Sequence, residues 1–310
     1  MSLPYRFNRL SALLTLSIFV TAVAPAQDPT EPTPRIMTAK IKVDDLSMII
    51  VPVSINGSGP YDFLLDTGAA KSMVDRKLAN ELALPQVAEK TVTGMLAATS
   101  MAVVHVNSFS VAGASVSGGE ILSSDSVATV SARVRGVLGE DFLKNFDLLV
   151  DYRHQQIELE SSTGSLAETA VGEHLPLQLD GTYQGQATYN RLVLSGSIPE
   201  LGGRPITLLL DSGTNHMVLF RADLGTAGAH SETVREGVLG SWTTSDTTTR
   251  TFRSLTLGKS SVNDLTVVGL SRRPYVDVDG LLPTSMFHSI FISHQGKFAI
   301  LNPAFPKTHR

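Results

Sequence analysis

The stretches FLLDTGAA, from Phe63 to Ala70, and LLLDSGTN, from Leu208 to Asn215, follow one pattern. In each, a run of apolar residues leads into an aspartate, a small hydroxyl residue and a glycine. This pattern is typical of a buried strand that stops at a tight turn. We expect the glycine to let the backbone fold sharply beneath the carboxylate, and the hydroxyl to lock the turn by a local hydrogen bond. The sequence therefore predicts two equivalent turns, each carrying one carboxylate.

The two turns belong to a longer internal repeat. The tripeptide VLG that ends at Gly139 lies 73 residues after Asp66, and the tripeptide LLP that ends at Pro283 lies 72 residues after Asp211. Each tripeptide is followed by a segment containing Phe and then by another apolar strand pattern. Because the same elements recur in the same order at the same spacing, the sequence indicates a duplicated unit of roughly 130 residues.

Composition restricts the class of protein. The 310 residues are 42% hydrophobic and 17% charged, which is typical of a globular protein, and the abundance of Val, Thr, Ser and Gly favours β structure. The formal charge of −4 and the lack of a Lys/Arg cluster argue against a nucleic-acid partner. The chain has no cysteine, which excludes disulfides, zinc–thiolate sites, iron–sulfur clusters and thiol catalysis. No HExxH, G-x-S-x-G or P-loop pattern occurs, so we predict no metal site and no cofactor.

The N-terminal residues resemble an export signal rather than part of the fold. Arg6 and Arg9 precede an apolar segment, and Ala24–Pro25–Ala26 is suited to signal-peptidase cleavage. We therefore expect a secreted or periplasmic protein with no membrane anchor after cleavage. The predicted divisions are a signal peptide (1–26), a Pro-rich linker (27–35), an N-terminal lobe (36–160), an inter-lobe linker (161–172) and a C-terminal lobe (173–305).

Paired Asp–Thr/Ser–Gly turns, each followed by an apolar tripeptide, resemble the pepsin and retropepsin aspartic proteases. The resemblance covers nearly the whole predicted mature chain and rests on DTGA at Asp66, VLGEDFL at Val137, DSGT at Asp211 and LLPTSMF at Leu281. It implies an all-β fold with few short helices. Two pseudo-symmetric β-barrel lobes would each contribute one aspartate to a cleft between them.

The same resemblance implies a mechanism for Asp66 and Asp211. Two neighbouring carboxylates share one proton, so the charged one acts as general base on a water and the protonated one donates to the scissile carbonyl. The remaining members of the two turns, which are expected to support the site, are Thr67, Gly68, Ser212, Gly213 and Thr214. By resemblance, the Thr67 and Ser212 hydroxyls brace the turns against each other.

The two copies differ at the fourth position of the turn and in the tripeptide. Ala69 occupies the fourth position in the first copy and Thr214 in the second, where a hydroxyl could donate to the neighbouring carboxylate. Since such a bond favours ionisation, we expect Asp211 to be the more acidic aspartate. Pro283 replaces the expected glycine, which either reshapes the turn locally or shifts the strand that supports Asp211.

Other candidates are less specific. A flap over the substrate would lie within 93–101 or 237–250, and Trp242 in the second range is either a substrate contact or an ordinary packed residue. His216 follows the second turn, and we expect it to be structural or exposed.

We expect a monomeric secreted aspartic endopeptidase that acts on peptides or proteins. Two alternatives stay open, namely a non-catalytic peptide-binding protein with the same fold and a homodimer whose lobes pair between chains.

Overall fold

The computed structural model describes residues 36–44, 47–93, 98–129, 133–161, 164–183, 186–188, 190–225, 229–238, 241–272 and 276–305. These residues belong to one compact unit that extends from Pro34. The predicted signal peptide and Pro-rich linker lie outside the described residues, so both stay predictions. Within the described ranges, no helix is both long enough and apolar enough to cross a membrane.

The described residues are mostly β structure. The strands of the first half are β1 (Ile36–Lys40), β2 (Lys42–Val43), β3 (Ile49–Ile55), β4 (Ser58–Leu65), β5 (Met73–Asp75), β6 (Gln86–Thr93), β7 (Ala98–Val111), β8 (Ala114–Ser124), β9 (Gly136–Leu138), β10 (Phe146–Asp151) and β11 (Gln156–Ser161). Those of the second half are β12 (Leu175–Pro176), β13 (Gly181–Tyr183), β14 (Gln186–Thr188), β15 (Val193–Ser197), β16 (Pro205–Asp211), β17 (Met217–Leu219), β18 (Ala229–Val238), β19 (Ser241–Leu257), β20 (Ser260–Gly269), β21 (Gly280–Pro283), β22 (Ser289–Ser293) and β23 (Phe298–Leu301).

Helices are short throughout the described part of the chain. They are α1 (Arg76–Glu81), α2 (Glu140–Leu143) and α3 (Ser165–Thr169), with 3-10 turns at Asp125–Thr129, Pro199–Leu201 and Thr284–Met286. Asp75 begins α1 by accepting a hydrogen bond from the Leu78 N–H. Helix α3 lies within the predicted inter-lobe linker, whose boundaries stay a prediction.

Two sheets repeat one topology. The N-lobe sheet has the order β2-β3-β4-β9-β5-β8-β7-β6, and the C-lobe sheet has the order β15-β16-β21-β17-β20-β19-β18. Apart from β2, each strand has a counterpart, and the parallel pairs β4–β9 and β5–β8 match β16–β21 and β17–β20. Additional pairings, β3 with β7 and β15 with β19, close each sheet on itself. This confirms an all-β fold of two pseudo-symmetric barrel lobes.

A third sheet joins the two lobes. Its order is β1-β11-β10-β22-β23-β12, so three strands come from each half and β10 meets β22 at the centre. These two strands are antiparallel, and Leu148 lies opposite Ile292. Their side chains belong to one hydrophobic core that continues into both barrels. The halves are therefore held together by a continuous sheet and a shared core.

The apolar runs of the repeat become the central strands of the barrels. The last three residues of β4 are fully buried, as are all residues of β9. The same holds for the end of β16 and for β21. Strands covered on both faces need continuous apolar sequence, which explains why the runs before Asp66 and Asp211 do not alternate. Both aspartates consequently end a buried strand at the centre of a lobe.

Candidate active site

Each predicted turn is held by its own aspartate. Oδ1 of Asp66 accepts the backbone N–H groups of Gly68 at 2.9 Å and Ala69 at 3.1 Å. In the second copy, Oδ1 of Asp211 accepts the Gly213 N–H at 2.7 Å. The local hydrogen bonds that lock the turns thus come from the carboxylates. The expectation that the hydroxyl residues do so is wrong.

The hydroxyl residues instead connect the lobes. The Thr67 N–H donates to Ser212 Oγ and the Ser212 N–H donates to Thr67 Oγ1, both at 3.0 Å. The Thr67 hydroxyl donates to the Leu210 carbonyl and the Ser212 hydroxyl to the Leu65 carbonyl, both at 2.8 Å. Thr67 and Ser212 are fully buried, so these four bonds are shielded from water. They fix the position of one turn relative to the other.

Gly68 and Gly213 are required for space. Neither has a positive φ, so a sharp fold of the backbone is not the reason for glycine there. A Cβ on Gly68 would lie 2.5 Å from Cγ of Asp211, and a Cβ on Gly213 would lie 2.6 Å from Cγ of Asp66. Each glycine therefore makes room for the carboxylate of the other lobe.

The two carboxylates meet between the lobes, each packed against the glycine of the opposite turn. Both aspartates are at least nine-tenths buried. Burial raises the pKa of Asp66, while its N–H donors and the hydrogen bond from Asp211 partly offset that effect. Burial, followed by the charge of Asp66, raises the pKa of Asp211 well above its usual range. The two backbone donors favour the charged form at Asp66, and the two carboxyl groups titrate as a coupled pair.

The contacts at the two turns differ from those on which the predicted order of acidity of Asp66 and Asp211 rested. The hydroxyl of Thr214 donates to the carbonyl of His216 at 3.2 Å rather than to Asp211. Asp66 accepts two backbone N–H groups and Asp211 accepts one, so the charged form is better stabilised at Asp66. The contact behind the prediction that Asp211 is the more acidic member is therefore not formed, and the backbone donors favour Asp66 instead.

The tripeptides lie beside the aspartates, as the repeat predicted. Asp211 is paired with Pro283 across β16 and β21, and the N–H of Asp66 donates to the carbonyl of Leu138 at 3.0 Å. In the first lobe, the Gly139 N–H donates to Ser72 Oγ at 3.0 Å. Met217 stands where Ser72 stands, six residues after the aspartate. The second lobe thus lacks the hydroxyl acceptor as well as the N–H, so Pro283 leaves no partner unsatisfied.

Sequence reasoning missed two cross-lobe contacts behind the dyad. Glu140, directly after Gly139, places Oε2 2.8 Å from Nε2 of His294. Thr284, directly after Pro283, shares a hydrogen bond with the hydroxyl of Tyr152. Glu140 and Thr284 are both fully buried. A charged residue directly after an apolar tripeptide was the available signal for Glu140, but nothing in the sequence indicated its partner.

The other candidates do not reach the dyad or lie outside the described residues. His216 is exposed and contacts Asn215, as expected. The flap candidates fall at the β6–β7 and β18–β19 hairpins, whose tips lie outside the described residues, as does the side chain of Trp242. In the described part of the chain, no three His, Asp or Glu side chains are grouped so that they could hold a metal ion.

Comparison with known families agrees with this geometry. A family model described as aspartyl protease matches residues 51–142 and 198–286, which together exceed half of the chain. The two matched segments contain the two Asp–Thr/Ser–Gly turns and both tripeptides. The chain belongs to the aspartyl protease family.

Comparison with solved structures also found matches. The crystal structure of a retropepsin-like aspartic protease from Rickettsia conorii resembles this chain with a TM-score of 0.32 and 16% sequence identity. The similarity covers 42% of this chain and 94% of the other. A comparison with curated protein sequences found no match.

Proposed function

We propose that this protein is an aspartic endopeptidase in which Asp66 and Asp211 activate a water molecule against a peptide bond. The observation that carries the proposal is the pair of buried carboxylates, one from each lobe, on turns held together by reciprocal cross-lobe bonds. A pair that holds one proton supplies a general base and a general acid together.

The unequal hydrogen bonding of Asp66 and Asp211 assigns the roles of general base and general acid. Asp66, which carries the charge, removes a proton from water as the water oxygen bonds to the carbonyl carbon. Asp211 gives its proton to the carbonyl oxygen, which produces a tetrahedral diol. Asp66 then passes its proton to the leaving nitrogen, and Asp211 recovers a proton from a hydroxyl as the C–N bond breaks. Both carboxyl groups return to their starting states, and no covalent enzyme intermediate forms.

We propose that one chain forms one complete site, because both aspartates and all four cross-lobe bonds belong to the same molecule. The test is a peptide-library digest over several pH values with wild type, Asp66→Asn, Asp211→Asn and the double variant. Each single variant should lose activity by about 10²- to 10⁴-fold, and the double variant should be little worse.

Mixing Asp66→Asn with Asp211→Asn tests whether the active species is a monomer. If lobes paired between chains, some mixed dimers would regain an intact pair and activity would return. We expect none. Peptide binding without cleavage by the wild type at every pH would instead support the non-catalytic alternative.

We propose further that the enzyme is exported, on the basis of the basic and apolar pattern before Ala26. N-terminal sequencing of the exported protein should begin at Gln27. Recovery of Met1 on the exported protein would contradict cleavage at this position.

A further inference from the structure

Glu140 links the turn of Asp66 to the opposite lobe. Its backbone N–H donates to the Ala69 carbonyl at 2.8 Å, and the Ala69 N–H is one of the two donors that hold Asp66. Its side chain reaches His294, at the end of β22, with 2.8 Å between Oε2 and Nε2. Glu140 is fully buried and His294 is 6% exposed. The two residues therefore form a direct connection from the central sheet to the first turn.

The surroundings of His294 require a hydrogen on one ring nitrogen, Nδ1. Nδ1 lies 2.6 Å from the carbonyl oxygen of Phe146, which can only accept, so Nδ1 carries a hydrogen. The contact between Nε2 and Oε2 then needs one further proton, held on either atom. Without that proton, a nitrogen lone pair would face a carboxylate oxygen, and the contact would be repulsive. The connection consequently depends on one proton shared by Glu140 and His294.

Other charged groups around the pair favour the protonated state. The carboxylate of Asp147 on β10 accepts the backbone N–H of His294 at 3.1 Å, and burial together with the charge of Glu160 on β11 raises the pKa of Asp147. Burial would lower the pKa of His294, but the charge of Glu140 and the hydrogen bonds to Glu140 and Phe146 outweigh it and raise the pKa. A cavity of about 280 Å³ adjoins the pair. The other charged residues that line it are Lys144, Asp180 and Arg191.

We propose that Glu140 and His294 are positioning residues of this site, and that the proton between them ties the second lobe to the turn that carries Asp66. The inference rests on the proposed function, since it concerns the residue assigned as general base. Neither side chain is expected to touch the substrate. They act by holding Ala69, and through it the N–H donor to Asp66.

The opposite half of the site supplies a matched control. Tyr152 and Thr284 also form a partly buried cross-lobe bond directly behind an aspartate, but that bond joins two hydroxyls. Tyr152→Phe removes one hydrogen bond without changing any charge at ordinary pH. His294→Gln removes a hydrogen bond together with the shared proton. Only the second change should have a pH-dependent effect.

The experiment measures unfolding temperature, kcat and KM from about pH 4 to about pH 9 for wild type, His294→Gln, Glu140→Gln and Tyr152→Phe. A raised histidine pKa stabilises the folded protein fully below the unfolded value of about 6.5, and this contribution is lost as pH rises through the folded pKa. His294→Gln should therefore unfold at a lower temperature than wild type under acidic conditions, and the difference should shrink at alkaline pH. Its kcat should fall by up to about 100-fold at acidic pH with little change in KM.

Glu140→Gln provides the second variant if His294→Gln does not fold. Its amide N–H can donate to Nε2 of a neutral His294, so the connection survives without a shared proton and the pH-dependent part of the stability disappears. The charge of Glu140 also raises the pKa of Asp66. The acid limb of kcat/KM should consequently move to lower pH in this variant.

Two readouts separate this inference from the proposed function. Unfolding temperatures require no turnover, so a shrinking difference for His294→Gln in a protein that cleaves no peptide would refute the peptidase and leave the proton-dependent connection standing. If peptides are cleaved but His294→Gln differs from wild type equally at every pH, as Tyr152→Phe should, the positioning role is overturned.

Discussion

Asp66 and Asp211 end equivalent strands of equivalent barrels, but their carboxylates have unequal surroundings. Asp66 accepts two backbone N–H groups, whereas Asp211 accepts one. The difference arises in the backbone N–H of the fourth residue, Ala69, and not in the side chain at that position. A duplicated fold can thus distinguish acid from base by the number of N–H donors aimed at each carboxylate.

The elements behind the aspartates differ in a second way. The first lobe has a polar set, in which Asp141 accepts from the Ser72 N–H and hydroxyl, and Ser72 accepts from Gly139. The second lobe has Met217 and Pro283 at the matching places. The second lobe lacks the N–H donor and the hydroxyl acceptor alike, so the absence of one leaves no partner for the other unpaired. We therefore expect the second half-site to tolerate Pro283.

The largest effect is expected when either cross-lobe glycine gains a methyl group. Gly68→Ala and Gly213→Ala each place a Cβ within about 2.6 Å of the opposite carboxylate, so the turns must separate. We expect about 100-fold or greater loss of kcat/KM and about 1–3 kcal/mol of lost stability. Peptide cleavage and urea unfolding measure both quantities.

Gly119→Ala is the control, because Gly119 has no heavy atom within 4 Å of its added Cβ and no positive φ. It should leave activity unchanged. Near-normal turnover in Gly68→Ala would show that the lobes are not in such close contact in the working enzyme.

The substitutions Gly139→Pro and Pro283→Gly should have unequal effects on stability and turnover. Gly139→Pro removes the N–H that binds Ser72 and brings a Cβ to 2.7 Å from the Ala69 carbonyl, so we expect a loss of about 3 kcal/mol and strongly reduced turnover. Pro283→Gly only frees the unfolded chain, which costs about 1 kcal/mol and leaves turnover near normal. Chemical unfolding and peptide cleavage compare the two. A large gain in turnover from Pro283→Gly would mean that proline impairs the second half-site.

The sequence predicted the parts of this molecule that repeat. Both turns and both tripeptides follow from apolar runs and spacing, because a buried central strand requires continuous apolar sequence. The two barrel lobes were implied by the family resemblance. The function of the glycines could not be read in this way, since their neighbours come from the other lobe. A Gly in a turn suggests a special φ, whereas here it makes room for a carboxylate about 145 residues away.

The same limit explains the missed partners. Glu140 and His294 are 154 residues apart, and their contact depends on how β10 pairs with β22. No local sequence pattern shows how these two strands are aligned. The hydrogen-bond partner of Thr214 was predicted wrongly for a related reason. The path of the backbone through the turn decides that its hydroxyl faces the His216 carbonyl rather than the carboxylate.

A smaller effect should distinguish the aspartates by stability. A carboxyl group whose folded pKa is raised destabilises the protein as pH rises from the unfolded pKa towards the folded value. Since the pKa of Asp211 is raised further than that of Asp66, Asp211→Asn should raise the unfolding temperature near neutral pH more than Asp66→Asn does. Both gains should vanish at pH values below 3.8, the ordinary pKa of an aspartate side chain. Thermal unfolding over a pH series measures this, and a larger gain from Asp66→Asn would place the proton on Asp66.

The smallest effect is expected at Thr214. Its hydroxyl donates to the His216 carbonyl and makes no hydrogen bond to Asp211 among the described contacts, so Thr214→Val should leave the pH profile of kcat/KM in place. The stability cost should be about 1 kcal/mol or less, because the side chain is only partly buried. Thr214→Ser, which keeps the hydroxyl, is the matched control. If Thr214→Val alone displaced a limb of the profile, the hydroxyl would have to reach the carboxylate during the reaction. The asymmetry of the pair would then depend on this side chain as well as on the backbone N–H groups.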